Sequence, residues 1–158
     1  MKKLILLSGI FSLACFETAH ADWKQAKWGM SVNQVKAKVP DAHEVSTDPN
    51  VQYSYNVVGS ERVLLAEDNY KVQDMDYSVR YIFDENNKLK AIVMRGGEYN
   101  YIRTFNLLSG KYGKPASSSG NGGDMSSATW NVPQKHLMIK LDELMGTSIR
   151  YEPITDAL

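Results

Sequence analysis

Few side chains in this sequence combine a type and a spacing that suit catalysis or metal binding. His43 and His136 lie in different halves of the chain. A zinc site is usually marked by closely spaced histidine or cysteine pairs, and neither residue has such a partner. His136 begins an alternating, strand-like run, so we interpret it as a surface or edge side chain. The histidines therefore predict no metal site.

Asp74 and Asp76 form a pair of carboxylates with a suggestive spacing. They flank Met75 in a strand-like stretch, which would direct both side chains to the same face. Such a pair can transfer protons or bind a hard cation. The alternative, which we favour, is a solvated strand edge or turn. No glycine follows in the register that an EF-hand loop requires, so the pair does not indicate a calcium site.

The glycine- and serine-rich segments match no phosphate-binding or nucleophile motif. Neither residues 110–115 nor residues 120–123 follow the order Gly-x-x-x-x-Gly-Lys-Ser/Thr, and no Gly-x-Ser-x-Gly is present. We therefore predict a protein that is not an enzyme and that carries no cofactor and no metal. The enzymatic alternative would need His43 or His136 within hydrogen-bond reach of a carboxylate in a cleft.

The aromatic content is the stronger functional signal. Nine tyrosines and three tryptophans exceed what two short helices and one hairpin need for packing, and these side chains dominate interface hot spots. We expect five aromatic residues in the core: Trp28, Trp130, Tyr81, Phe83 and Phe105. Five tyrosines near loops or helix starts are the candidate binding residues: Tyr53, Tyr55, Tyr70, Tyr99 and Tyr101.

The N-terminus has the pattern of an export signal. Lys2 and Lys3 precede an apolar run over residues 4–16, and Ala-His-Ala at 19–21 provides the small residues of a cleavage site. The run is shorter than the ~20 residues that span a bilayer. We predict a signal peptide over residues 1–21 and a periplasmic or secreted protein. Lipidation at Cys15 is the less favoured alternative, because Leu13 is one place off the lipoprotein pattern.

The composition excludes several classes of partner and chemistry. The 158-residue chain has 18 basic and 18 acidic side chains, and removal of residues 1–21 leaves 16 and 17 and no cysteine. A near-neutral chain lacks the charge of a general nucleic-acid binder. We therefore expect no nucleic-acid partner, no transmembrane segment after signal removal and no disulfide.

Two helices are predicted from their caps and periodicity. Ser31 and Gln34 form a capping box before a helix over residues 32–39, which Pro40 ends. A second helix over residues 101–112 carries an apolar stripe and is followed by Gly113.

Period-two alternation predicts strands after each helix. Residues 77–83 and 88–94 form a hairpin, with Leu89, Ala91 and Val93 on one side of its second strand. Weaker strands are predicted at 51–58 and 62–67, and further strands at 126–132, 136–141 and 147–151. The small residues 117–123 predict a mobile loop.

The order helix then strands occurs twice. We predict an α+β fold of two tandem α-β-β-β units, at about 22–97 and 98–158, within a single domain over 22–158. Their antiparallel sheet would carry both helices on one face.

These motifs resemble those of a widespread group of small exported bacterial proteins of unknown function. The resemblance rests on Trp-Gly-Met-Ser at 28–31, Tyr-Ile-Phe-Asp at 81–84 with Lys-Leu at 88–89, the run at 108–115, and the strand containing Trp130. The predicted architecture is similar to that of the β-lactamase inhibitor protein and of BamE-like domains. The resemblance implies a fold that binds other proteins through an open sheet face, with no catalytic residues to transfer.

The functional expectation is an exported, non-catalytic binding protein whose partner is a periplasmic or envelope protein, with an inhibitor or immunity protein as one version. The sheet face and the loops at about 53–74 and 117–124 would form the contact surface. The alternative is a periplasmic protein that binds a small molecule or a glycan through its tyrosines. A closed cavity lined by tyrosines would favour that alternative, and a flat exposed aromatic patch would favour protein binding.

Overall fold

The computed structural model describes residues 23–51, 61–97 and 99–155. The predicted signal peptide at 1–21 lies outside these residues, as do Tyr53 and Tyr55. The described chain forms one open, antiparallel sheet of eight strands with helices beside it. The predicted α+β class is therefore confirmed.

Two α-helices and eight strands lie wholly within the described residues. Helix α1 spans Val32–Lys38 and helix α2 spans Tyr101–Tyr112. In chain order, the strands are β1 His43–Glu44, β2 Arg62–Val72, β3 Met75–Phe83, β4 Leu89–Gly96, β5 Ser117–Ser119, β6 Ser127–Val132, β7 Leu137–Glu143 and β8 Thr147–Pro153. A 3-10 turn, Pro133–Lys135, joins β6 to β7.

The strand order in the sheet is β1-β2-β3-β4-β8-β7-β6-β5. Strand β4 pairs with β8 at the centre, with Val93 opposite Arg150 and Met94 opposite Ile149. Among the described residues, each helix is followed in the chain by four strands, where the predicted units had three each. The weaker strand predicted at 51–58 lies outside the described residues except for Val51. The additional strands, β1 and β5, are two short edge strands.

Two segments that were expected to be loops contain strands. Strand β5 occupies Ser117–Ser119, where its residues pair with residues 127–129 of β6. Strand β2 runs to Val72, so it confirms the strand predicted at 62–67 and extends it into the expected loop. Local composition wrongly predicted loops at residues 68–72 and 117–119, because pairing with a neighbouring strand supplies hydrogen bonds that composition does not reveal.

The first helix forms as predicted. The Ser31 hydroxyl accepts from the Gln34 backbone N–H, and the Gln34 side chain accepts from the Ser31 backbone N–H at 2.9 Å. The buried Val35 and Val39 fix the helix to the core. The capping box therefore satisfies two backbone N–H donors at the helix start, while the apolar stripe determines which side is buried.

The second helix covers the other half of the same sheet face. Tyr101, Thr104 and Leu108 are its buried residues. The Trp130 indole N–H donates to the Gly113 carbonyl at 2.9 Å, where Gly113 ends the helix with φ of 84°. That positive φ is the conformation for which glycine is the preferred residue. The helix end is thereby joined to strand β6.

The covered face, defined as the sheet face under α1 and α2, carries the main core. One row of paired residues crosses five strands of this face: Tyr81, Ile92, Tyr151, Ile139 and Trp130. All five are buried and belong to a cluster that also contains Val35 of α1 and Leu108 of α2. Both helices therefore pack on one face.

A bulge at Lys90 changes the predicted faces of β4. Phe83 pairs with Leu89 but Ile82 pairs with Ala91, so Lys90 is an extra residue in β4. Leu89 therefore shares the covered face with Ile92, instead of sharing a face with Ala91 as predicted. One inserted residue reverses the alternation that follows it.

The opposite side of the sheet, called the open face, has a smaller apolar cluster. Its buried members are Val45, Val63, Ala66, Ile82, Ala91 and Val93. Within residues 23–51, 61–97 and 99–155, no helix has the length and apolar character needed to cross a membrane.

Candidate functional site

A groove of about 540 Å³ crosses the open face. Strands β3, β4, β8 and β7 form its base, because side chains at alternate positions of these strands point to the same side. The buried side chains of Val63, Ile82 and Val93 provide an apolar floor. Residues of both halves of the sheet line the groove, so it exists only when β4 and β8 are paired.

Arginine 150 is the centre of an ion-pair network in this groove. Its guanidinium donates to both carboxylate oxygens of Glu61 at 2.9 and 3.0 Å and to Glu152 at 2.6 Å. Glu152 also accepts from Lys140 at 2.6 Å. Burial alone would lower the pKa of Arg150, but the hydrogen bonds with Glu61 and Glu152 raise it. This pairing also joins β8 to Glu61, the residue that precedes β2.

A second arginine in the groove lacks such a network. The half-buried Arg95 of β4 pairs across the ladders with Ser78 of β3 and Ser148 of β8. Among the described residues, no carboxylate forms an ion pair with it, and burial lowers its pKa. Asp142 lines the groove two strands away from Arg95, and its pKa is raised by burial.

Three large apolar side chains project beside the groove. Met125 is 79% exposed, Leu144 is 59% exposed and Met145 is 85% exposed. The Met125 backbone N–H donates to the Glu143 carbonyl at 2.8 Å, which joins the two segments. Met125 and Met145 both have positive φ, at 65° and 54°. We call Met125, Leu144 and Met145 the apolar rim.

The predicted tyrosines do not form one surface. Tyr99 is 88% exposed, whereas Tyr101 is 4% exposed, so the expectation that Tyr101 is exposed is wrong. Tyr101 begins α2, and the apolar stripe of the helix turns it into the core. Tyr70 is half-buried against Trp23, with 4.7 Å between ring centroids. None of the three lines the groove.

The other sequence candidates also lie apart from the groove. His43 lies 3.6 Å from Asp68, between Nε2 and Oδ2, and both side chains are exposed. His136 lies before β7 in a left-handed conformation with φ of 46°. In the part of the chain that the structure describes, no three His, Cys, Asp or Glu side chains converge as a metal site.

Asp74 and Asp76 do not act as a pair. The Arg103 guanidinium beside Asp74 holds the pKa of that carboxyl below its usual range. Asp76 instead accepts from Lys71 at 2.6 Å. Each carboxylate therefore has its own cation.

A polar cluster that the sequence did not reveal lies on the covered face. The Tyr81 hydroxyl donates to the buried Glu67 and accepts from the Trp23 indole N–H at 2.9 Å. Lys24 donates to the other Glu67 oxygen at 2.6 Å. Burial and then the neighbouring Glu67 raise the pKa of Tyr81 well above its usual value. These contacts fasten the segment at residues 23–24 to the sheet.

The sequence pattern did not identify the groove arginines as site residues, because their grouping depends on strand alternation and strand order. Arg80, Arg95 and Arg150 lie at strand positions that face away from the covered core. Alternation within β3 could have placed Arg80 on that face. The strand order needed to bring Arg95 next to β8 is not local information.

The groove combines arginines, carboxylates, hydroxyls and an apolar rim, which suits recognition of a polar group with apolar neighbours. Comparison of the chain with protein-family models, with curated proteins and with solved structures finds no match.

Proposed function

We propose that this chain is an exported, non-catalytic binding protein that contacts another protein of the cell envelope through its open face. The observation that carries the proposal is the apolar rim: Met125, Leu144 and Met145 project into solvent beside the groove. Grouped exposed apolar side chains are a mark of interaction sites. Methionines are adaptable contact residues at such surfaces.

The two faces of the sheet support the choice of the open face. Helices α1 and α2 already cover one face, so it has no strand surface to offer. The open face provides an apolar floor, and Arg150, Glu61 and Asp142 add charges. Interfaces commonly have this organisation of an apolar centre with polar surroundings.

The proposal includes the two-unit architecture of the inhibitor-protein and BamE-like kind. Two sets of four strands, each preceded by a helix, meet at the antiparallel β4 and β8 pair. In this interpretation the two units together make one binding face. An inhibitor or immunity protein, which occupies the cleft of an enzyme, is one version of the function.

Site-specific photocrosslinking in the source cells tests the proposal. The tagged full-length chain carries a photoreactive amino acid at Met145 on the apolar rim or at the exposed Lys38 on α1. We expect one envelope protein crosslinked from position 145 and none from position 38. Equal capture from the two positions, or no capture from position 145, would contradict binding through the open face.

A small-molecule ligand is the second candidate function, favoured by the volume of the groove. About 540 Å³ falls within the roughly 300–1,000 Å³ of typical ligand pockets. Against a stacking site for a glycan, no tyrosine lines the groove among the described residues. Native mass spectrometry of the purified protein distinguishes the candidates, because a retained small molecule gives a defined mass increase that a protein-binding surface does not.

A further inference from the structure

Arg95 is a groove cation that no described residue neutralises. It projects from β4 onto the open face, between Ser78 on one side and Ser148 on the other. Within the described chain, no acceptor forms a hydrogen bond or ion pair with its guanidinium, and it is half-buried. A guanidinium remains charged at any ordinary pH. Its five N–H donors are therefore available to an anion.

Arg150 shows what a satisfied arginine in the same groove is like. Glu61 binds it through both carboxylate oxygens, and Glu152 binds it through a third contact. Lys140 is likewise paired, with Glu152. These contacts leave Arg95 as the better site for an incoming anion, because binding there breaks no existing ion pair.

The position of Asp142 restricts where an anion can lie. Ser148 separates Asp142 from Arg95 in the cross-strand row, so their backbones are about 10 Å apart. A second negative charge near β7 would meet the Asp142 carboxylate when that group is ionised. The anionic group is therefore confined to the β4 side of the groove, beside Arg95 and Ser148.

The apolar surroundings indicate what else the ligand carries. Val93 and Ile82 form the floor near Arg95, and Met125 and Met145 stand at the rim. A free inorganic anion would satisfy the guanidinium but leave these side chains in water. A carboxylate on a polypeptide with neighbouring apolar side chains satisfies both, and a guanidinium can bind it through two parallel hydrogen bonds.

We propose that Arg95 is the anchoring residue of the open face and binds an aspartate or glutamate side chain of the partner protein, whose apolar neighbours pack on Met125 and Met145. This inference rests on the proposed function and specifies the chemistry of the partner. The Ser148 hydroxyl lies beside the same position and can donate to the carboxylate. The partner therefore presents an acidic residue within an apolar segment.

The first test introduces Arg95→Gln into the chain that carries the photoreactive group at Met145. We expect capture of the partner to fall about tenfold, as loss of a charge-assisted hydrogen bond predicts. Arg103→Gln is the matched control, because it removes the same charge from α2, outside the groove. Undiminished capture by Arg95→Gln would overturn the inference while leaving the proposed function intact.

A second test needs no partner. The purified full-length protein is titrated with acetyl-Asp-Leu-amide, with acetyl-Asn-Leu-amide and with inorganic phosphate, and Arg95 and Ser148 are followed by nuclear magnetic resonance. We expect the aspartyl peptide to shift both signals, the asparaginyl peptide to leave them in place, and Arg95→Gln to abolish the Ser148 shift. Tighter binding of phosphate than of the aspartyl peptide, or equal shifts from both peptides, would overturn the carboxylate assignment.

The two tests separate the inference from the function on which it rests. Absence of any partner crosslinked from Met145 would contradict the proposed function, and the titration would still decide whether Arg95 binds a carboxylate. Urea denaturation of Arg95→Gln provides the folding check. We expect an unchanged midpoint, because the Arg95 side chain has no hydrogen bond or ion pair within the described residues to lose. Arg95→Lys then tests whether the planar guanidinium, and not charge alone, is required.

Discussion

The covered face and the open face are built from the same strands, but they differ in whether their polar side chains have partners. On the covered face, residues such as Tyr81, Ile92 and Trp130 are closed off by helices and by each other. One buried carboxylate of this face, Glu67, is paired with both Tyr81 and Lys24. On the open face, Arg95 lies half-buried without a partner among the described residues.

This difference separates residues that stabilise the fold from residues that are available to a ligand. A buried polar group that lacks a partner costs free energy, so a face devoted to stability pairs most of its polar groups. Trp23, Lys24, Glu67 and Tyr81 follow that rule. Substitutions on the covered face should therefore affect folding, and substitutions on the open face should mainly affect binding.

The largest expected effect comes from removing the tryptophan of the covered face. Trp130 is 1% exposed, packs on Phe105 at 5.5 Å between ring centroids and donates to Gly113. Trp130→Ala should lower the free energy of unfolding by about 3–5 kcal/mol. Urea denaturation measures the loss. Met145→Ala on the open face is the control, with a change of no more than about 0.5 kcal/mol, and equal losses in the two variants would contradict the distinction between faces.

The same substitution on the two faces sharpens the comparison. Val79 is fully buried on the covered face, and Val93 is 9% exposed on the floor of the groove. Val79→Ala should cost about 2–3 kcal/mol because it leaves a closed cavity. Val93→Ala should cost about 1 kcal/mol because water can enter the space. Calorimetric unfolding of both variants tests the ranking, which an equal or reversed order would refute.

A smaller effect is expected at the Tyr81 hydroxyl. Tyr81→Phe removes the donor to Glu67 and the acceptor for Trp23, so we expect a loss of about 1–2 kcal/mol at neutral pH. Lys24 remains to pair with Glu67. Chemical denaturation at pH 7 gives the value, and no measurable loss would show that the buried network does not stabilise the fold.

The pH dependence of this variant has a defined sign. Burial and Glu67 raise the pKa of folded Tyr81 above that of the unfolded chain, which is about 10. Above that pH the unfolded state binds fewer protons than the folded state, so the stability of the wild-type protein falls. The difference between wild type and Tyr81→Phe should therefore shrink from pH 9 to pH 11. A constant difference over that range would contradict the raised pKa.

The smallest effect is expected where an ion pair lies in solvent. Arg103 and Asp74 contact each other with both side chains exposed. Water and salt screen such pairs, so Arg103→Ala should leave the denaturation midpoint unchanged. A clear shift in the midpoint would mean that exposed pairs contribute as much as the buried network around Glu67.

Much of the fold could be predicted because its signals are local. The capping box of Ser31 and Gln34, the Gly113 stop and the alternation over residues 77–83 each act within a few positions. Strand β5 and the bulge at Lys90 could not be predicted in this way. Both depend on a neighbouring strand, since a serine triplet forms a strand only where β6 offers free backbone groups.

The candidate site was much less predictable than the elements. The tyrosine content predicted that Tyr70, Tyr99 and Tyr101 are binding residues, but each lies away from the groove. The exposure of Met125 and Met145 could not be predicted, because no sequence pattern distinguishes an exposed methionine in a turn from a buried one. Exposure is a property of the assembled surface, and propensity describes only the backbone and its near neighbours.

The sequence by itself determined which residues share a side in strands without a bulge, where the helices begin and end, and that the chain has the composition of a folded α+β protein. Only the tertiary structure decided that β4 pairs with β8, which brings Arg95 beside Ser148 and closes the groove base. Cap and turn interactions act over a few residues, so they can be predicted from the sequence. Strand order depends on contacts between distant segments, and the open face exists only after those contacts form.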